Sequence, residues 1–566
     1  MKYFRVCISI LFLTSTSLAY AKDLSINQER FVPGDNLVVT LAENWSGEAD
    51  VYIAVSLPAD DTLFFFTPPD FVLDFVPYIE VASASGSREI FQMVFPETGL
   101  PFGEYTFYAA AMQSGSFFDM VLDVTSTSFI FAAEAEKVFG VLSFGEDGTY
   151  KGCNGLQMAF NSVQDLDEIR IEQGTYECNG LSIPSSKSFE HGIKISGGWD
   201  SGFENQSDDP AITVFDGKEE GGILSVSADG SVAIEGLSFQ NASDRAISAN
   251  RKVSITNCIF TNNSASDDGG AVYYNDHSSG TITNSTFTNN SASSGGGGAV
   301  YSSSSSSTIT NSTFTNNTAS EGGAVFYSFQ VSSGIISNST FTNNSASENG
   351  GAVYYSYSSG TITNSTFTNN TSDSYGGAVS YYNYYSYSSG TITNSTFTNN
   401  SAKNNGGAVS GADTITNSTF TNNTASTGGV VNGSSTIVNC TIANNSGRGF
   451  SGSGTILNTL FAKNKVGEEA NDITPSGELH VDYSLANYIS GAVDLGTHNI
   501  MGEPRFVDAD NGDFRLRADS PTVDVGDSSV IDSYSFLKDD AENEIDLDGN
   551  PRIVGGAIDL GAYELQ

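Results

Sequence analysis

Positive charge is scarce in this chain. Its 566 residues hold 23 Lys and Arg against 65 Asp and Glu, a formal charge of −42. That balance excludes an electrostatic nucleic-acid binder, because nothing could neutralise a run of phosphates. Adsorption to anionic lipid is disfavoured for the same reason. Histidine is rarer still: His191, His277, His480 and His498 stand in unrelated contexts. Cysteine numbers five with no CxxC pair, so a zinc site is not expected. No apolar run is long enough to span a bilayer. No cofactor is implied.

What is present begins with a leader. Lys2 and Arg5, the apolar stretch Val6 to Leu13 and Ala19-Tyr20-Ala21 read as a secretory signal over residues 1–21. Its removal leaves 21 basic against 65 acidic residues, or −44. The expected mature protein is exported, carries no membrane span, and is read as a monomer.

The middle of the chain repeats. The string TITNSTFTNN begins at Thr281, Thr308, Thr361, Thr391 and Thr414. Its Phe recurs at Phe260, Phe287, Phe314, Phe341, Phe367, Phe397 and Phe420, at intervals of 27, 27, 27, 26, 30 and 23 residues. Each copy holds two or three short strand-like pieces separated by Gly and Asn turn signals, and no stretch has helical periodicity. Four-stranded propeller blades would need about 40 residues or more. A parallel β-helix remains, one coil per repeat, with coils about 4.8 Å apart.

Alternation puts Ser285, Phe287 and Asn289 on one face, which predicts a Phe ladder inside with small and amide ladders beside it. Cys258 and Cys440 occupy the Ser285 position about seven coils apart, roughly 34 Å, beyond disulfide reach. They are expected as buried thiols. Cys153 and Cys178 each precede Asn-Gly and lie 25 residues apart, one coil, so a disulfide between stacked neighbours is predicted. The exported compartment permits it.

Two motifs recur in fixed order, FxxN then GGAV, as in Phe287 to Asn290 with Gly297 to Val300, and Phe314 to Asn317 with Gly322 to Val325. This resembles the repeat of the chlamydial polymorphic outer membrane proteins, over roughly residues 230 to 465. The resemblance implies a right-handed β-helix with an adhesin-type role in a bacterial protein, outer-membrane-associated or extracellular. No translocating barrel segment is read. Instead Asp513-Phe514-Arg515-Leu516, Asp548-Gly549-Asn550-Pro551-Arg552 and Gly561-Ala562-Tyr563-Glu564 look like the choice-of-anchor Q domain. The expected organisation is a signal peptide over 1–21 and an antiparallel β-sandwich of immunoglobulin or fibronectin type over 22–133. A right-handed parallel β-helix over 137–465 follows, densest in repeats at 251–431, then anchor-like coils and cap over 466–566.

Chemistry is hard to find. A uronate lyase needs a base and often calcium, yet the central coils offer only Arg251, Lys252 and Lys403. Asp267-Asp268 is the best carboxylate pair and reads as a solvated turn; no catalytic residue is assigned. Asp508, Asp510 and Asp513, with Asp546 and Asp548, resemble calcium loops, but Asx turns explain them better. No metal ligand is assigned.

Loop length varies instead. The segment after GGAV runs from four to eleven residues and is Tyr- and Ser-rich: Tyr273, Tyr274, Tyr301, Tyr327, Tyr354, Tyr355, Tyr357, Tyr381, Tyr382, Tyr384, Tyr385 and Tyr387. Insertions on one face of a repeat array mark binding surfaces, and Tyr with Ser gives large contacts at low entropic cost. One Tyr per coil is expected to alternate inward. The leading function is a non-catalytic surface module, an adhesin, whose Tyr loops contact a glycan or cell-surface ligand. The alternative is a polysaccharide lyase or glycoside hydrolase. A third reading is an ice-binding or matrix protein with flat Thr ladders, against which the unequal coils argue.

Overall fold

The computed structural model describes the strand backbones between residues 21 and 141. From residue 152 to 566 it describes backbone and side chains, apart from 276–277, 329–332, 383–388 and 535–542. The leader, His277 and the tyrosines 384, 385 and 387 lie outside the described residues. The chain divides into two units, Met1–Glu136 and Lys137–Gln566.

The first unit is an eight-stranded sheet, antiparallel except where Arg30–Phe31 runs parallel to Val121–Phe131. Its long strand Asn36–Leu57 pairs with Ala21–Ile26 and Ile79–Val94 through its first part. Gly103–Gln113 and Asp60–Thr67 pair with its second part.

The second unit is a right-handed parallel β-helix. A representative coil runs Val300–Ser303, Ser306–Thr310, Thr313–Thr315 and Thr318–Glu321, four pieces rather than the two or three expected. The third pieces stack into a 12-stranded parallel sheet from Gly174–Glu177 to Leu460–Ala462. Corners are turned by left-handed residues, Asn311 at φ 51°, Asn316 at 56° and Gly322 at 58°. Asn and Gly tolerate that conformation best.

These corners correct the expected parity. Asn289 takes φ 56°, so the alternation breaks there and Asn290, not Asn289, enters the core. Asn290 Nδ2 donates to Asn317 Oδ1 at 3.0 Å and to the Phe260 carbonyl at 3.1 Å. The pattern repeats through Asn344, Asn370, Asn400 and Asn423. Each buried amide is satisfied by its neighbours, as burial requires.

The Phe ladder is as expected. From Phe260 to Phe420, ring centroids repeat at 4.7–4.8 Å with planes within 8° of parallel. A second inner stack joins Tyr327, Tyr355 and Tyr381 at 4.9 and 4.7 Å. A glycine accompanies each inward Tyr. A Cβ on Gly280, Gly334, Gly360 or Gly390 would lie 2.3, 2.5, 2.5 or 2.8 Å from the ring of Tyr274, Tyr327, Tyr355 or Tyr381. In the coil where Ser302 replaces Tyr, Ser307 replaces Gly, and the two hydroxyls are 3.3 Å apart.

Unequal coil lengths leave the Phe sheet undisturbed. Thr286, Thr313, Thr340, Thr366, Thr396 and Thr419 pair one to one. Extra residues are confined to loops elsewhere, so the objection that unequal coils spoil the Thr columns does not hold.

The ends are closed differently. Gly152–Ser162 is a helix, against the expectation of none. Its apolar stripe Leu156, Ala159, Phe160 and Val163 follows i, i+3, i+4, i+7 and is buried across the first coil. Cys153 in this helix is disulfide-bonded to Cys178. Cys258 and Cys440 are buried free thiols, each pushed up to about 12 by burial.

At the other end, residues after 500 cover the last coils. Leu516 and Leu560 pack on Leu460 and Leu485, and Val530 and Ile558 on Val438. Corner asparagines hold the cover: Asn439 Nδ2 donates to the Asp559 carbonyl at 3.1 Å, and Asn458 Nδ2 to that of Asp527 at 3.0 Å. Beneath it Arg552 is 1 % exposed, among the carboxyls of Asp546, Asp559 and Glu564. Burial raises Glu564 to about 7.

Candidate functional site

The strand following each GGAV faces two ways, and this divides the tyrosines. Tyr274, Tyr327, Tyr355 and Tyr381 point into the solenoid and are buried. They serve packing, a correction to the expectation that they contact a ligand; the cause is the two-residue period of the strand. Tyr273, Tyr301, Phe326 and Tyr354 occupy the outward position in direct register.

These outward rings form their own ladder, with centroids at 5.3 Å, 5.2 Å and 5.0 Å. It is sheltered: Tyr301, Phe326 and Tyr354 are 5 %, 7 % and 4 % exposed. Phe326 is sheltered by the loop that precedes the Gly-Gly of the coil before it. A Cβ on Gly296 would lie 1.8 Å from the Phe326 ring, so only glycine lets the loop close over it. Burial pushes the Tyr301 phenol up to about 12.

Above Tyr354 the outward position passes to Ser380, and the next rings lie beside the ladder. Tyr357 and Tyr382 meet edge to face at 5.4 Å, and Tyr382 and Tyr375 are 45 % and 43 % exposed. Tyr354 lies within electrostatic reach of Tyr357, Tyr382 and Glu321.

Carboxylates edge the strip. Asp268, Gly296, Glu321, Asn349 and Tyr375 are equivalent residues, each preceding a Gly-Gly corner on successive coils. Asp268 accepts the Gly296 N–H at 2.7 Å, and Glu321 accepts the Asn349 amide at 3.4 Å. Burial raises both carboxyls above the usual range. Arg245 closes the lower end, with its guanidinium carbon 4.4 Å above the Tyr273 ring. Its Nε donates to the Asp268 carbonyl at 2.9 Å and Nη2 to Asp267 Oδ1 at 2.7 Å. Asp267 and Asp268, expected as a solvated turn, thus anchor this arginine. Arg245, Glu321 and Tyr375 escaped the sequence reading. Their common signal was position: the residue before Gly-Gly, or the coil below it.

The remaining candidates do not join the strip. His191, His480 and His498 each pair with their own carboxylate, Asp165, Asp494 and Asp482, at 2.9, 2.8 and 3.2 Å. Asp508 accepts from Asn511, Asp513 pairs with Arg515, and Asp546 accepts the Asp548 and Asn550 N–H groups. Among the described residues, no group of three His, Cys, Asp or Glu side chains is placed to hold a metal. A cleft of about 310 Å³ lies between Lys463 and residues 503–510. Lys463 and Asp510 pair across it at 3.6 Å.

A right handed beta helix region model matches residues 153–314 and 221–387. The Chlamydia polymorphic membrane protein repeat matches residues 394–412. No curated protein matches the chain. Among solved structures it is similar to the PL6 family alginate lyase AlyGC, at 11% identity and TM-score 0.44. That match covers 68% of this chain, which spans 56% of the lyase. The PL6 family polysaccharide lyase Pedsa3628 from Pseudopedobacter saltans matches at 11% identity and TM-score 0.37, over 69% of this chain and 98% of that one. The family 28 exopolygalacturonase of Yersinia enterocolitica matches at 7% identity and TM-score 0.24, over 85% and 97%. Among the described residues no helix is long and apolar enough to cross a membrane. Residues 153–387 are therefore a right-handed β-helix region, and within the coils that continue it residues 394–412 match the Chlamydia polymorphic membrane protein repeat.

Proposed function

We propose that this protein is a non-catalytic module displayed at a bacterial surface, an adhesin that binds glycan beside the upper end of the outward aromatic strip. The observation that carries this reading is the exposure of Tyr375 and Tyr382, the latter edge to face with half-buried Tyr357, in the coil next to a ladder otherwise sheltered from water. Exposed tyrosine rings offer apolar faces with polar tips, which suits stacking on sugar rings. The leader and the anchor-like end fit display outside the cell.

The test is a glycan array probed with the full mature chain and with the Tyr357→Ser/Tyr382→Ser variant. Saturable binding that weakens about tenfold or more in the variant, at unchanged melting temperature, is the expected outcome. Equal binding by both proteins would move the site elsewhere.

A second reading has one observation behind it. Asp268 and Glu321 are partly buried carboxyls with raised affinity for protons, two coils or about 9.6 Å apart along the backbone. That is near the separation of an inverting glycosidase pair. Reducing ends released from any arrayed polysaccharide, and lost in Glu321→Gln, would favour it over the adhesin.

A further inference from the structure

We infer that the aromatic strip takes a cationic ligand, and that on the glycan reading above its ligand is a polymer bearing free amino groups rather than a uronate. The chain supplies its own example at the lower end. Arg245 lies on the Tyr273 face at 4.4 Å while Asp267 and the Asp268 carbonyl receive its N–H groups. A cation on an aromatic face flanked by carboxylates is favourable, most of all where water is partly excluded.

Higher on the strip the same components recur without the arginine. The Glu348 N–H donates to the Ser320 carbonyl at 2.8 Å and the Ser374 N–H to the Glu348 carbonyl at 3.0 Å, so Glu348 sits one coil from Glu321 and one from Tyr375. Tyr357, Tyr375 and Tyr382 supply the rings. Between Lys252 and Arg448 the sequence offers one Lys or Arg, Lys403, and its Nζ is 2.8 Å from Asp373. Among the described residues, Glu321 has the Asn349 amide as its hydrogen-bond partner, and Lys403, the one Lys or Arg of that stretch, is taken by Asp373. A uronate or sulfate would meet these carboxylates and gain no cation, in a protein already at −42. An ammonium group would find acids and rings of the kinds Arg245 uses, two to four coils beyond Tyr273.

The experiment compares glucosamine oligomers with free amines, their N-acetylated counterparts, polygalacturonate and poly-lysine, each immobilised and exposed to the full mature chain. The free-amine oligomers should bind about tenfold tighter than the acetylated ones, a difference of about 1.4 kcal/mol. That preference should shrink as salt rises. Glu321→Gln/Glu348→Gln should remove most of it, and Glu348→Gln alone, at an exposed site, should remove part with no change in melting. Equal binding of acetylated and free-amine oligomers would overturn the charge inference and leave the glycan reading standing. Binding to poly-lysine alone would overturn the ligand class. Binding to polygalacturonate alone would overturn the inference outright, and binding to none of the four would sink the glycan reading with it.

Discussion

The repeat coils and the covered coils at the C-terminal end use one corner residue for two purposes. In the repeats the left-handed Asn chiefly meets its copy one coil away, as Asn289 Nδ2 meets Asn262 Oδ1 at 3.3 Å. In the last coils Asn458 still reaches Asn439, at 3.2 Å, and gives a second N–H to the covering chain. The repeats are stabilised by likeness: identical rings and amides stack, and each coil completes the one below. The covered end is stabilised by difference, with mixed apolar clusters above a buried guanidinium. A periodic region spreads its stability over many equal steps, whereas the cap concentrates it in a few groups.

The largest expected effect therefore lies in the cap. Arg552→Ala leaves the carboxyls of Asp546, Asp559 and Glu564 buried without their cation. Removing one partner of a buried charge cluster costs about 3–5 kcal/mol. Chemical denaturation should show an early transition for residues 503–566 and a later one for the repeats. A single unshifted transition would mean the two regions are not separable.

The next effect is a dependence on pH. Burial, aided by the neighbouring Asp559 carboxyl, favours a protonated Glu564 in the fold, and its value rises from 4.5 to about 7. A raised carboxyl stabilises the fold fully below its unfolded value and loses that contribution as pH climbs through its folded value. Between about pH 4.5 and 7 the cap should lose roughly 3 kcal/mol relative to the repeats. Glu564→Gln should flatten that slope. Melting curves at pH 5 and pH 8 decide it, and a cap more stable at pH 8 would contradict the protonated state.

Legibility in the sequence follows the same division. The Phe ladder, the buried thiols and the Cys153–Cys178 bridge were readable because each depends on spacing within one or a few coils. The amide ladder was misplaced by one residue, since a left-handed corner at Asn289 resets alternation and leaves no mark in composition. The helix over Gly152–Ser162 was missed because Gly and Asn diluted its apolar stripe. The strip was half legible. Its tyrosines stood out, but Arg245, Glu321 and Tyr375 align only when coils of unequal length are stacked. The cap was least readable: Asn439 meets Asp559 across 120 residues, and no local pattern records such a contact.

The smallest expected effect tests whether likeness within the repeats is negotiable. Gly360→Ala would put a methyl 2.5 Å from the Tyr355 ring, an overpacking worth about 1–3 kcal/mol. The chain already contains the remedy, since Ser302 and Ser307 replace the Tyr and Gly of that pair and lie 3.3 Å apart. Gly360→Ser/Tyr355→Ser should then be more stable than Gly360→Ser alone. The gain is partial, because the ring stack from Tyr327 to Tyr381 loses its middle member. A double-mutant cycle followed by urea denaturation gives the coupling directly. Additive losses would mean that Gly360 answers to the backbone turn rather than to the ring. The pairing of an inward Tyr with a Gly would then be coincidence, and the two kinds of coil would differ in more than one exchanged pair.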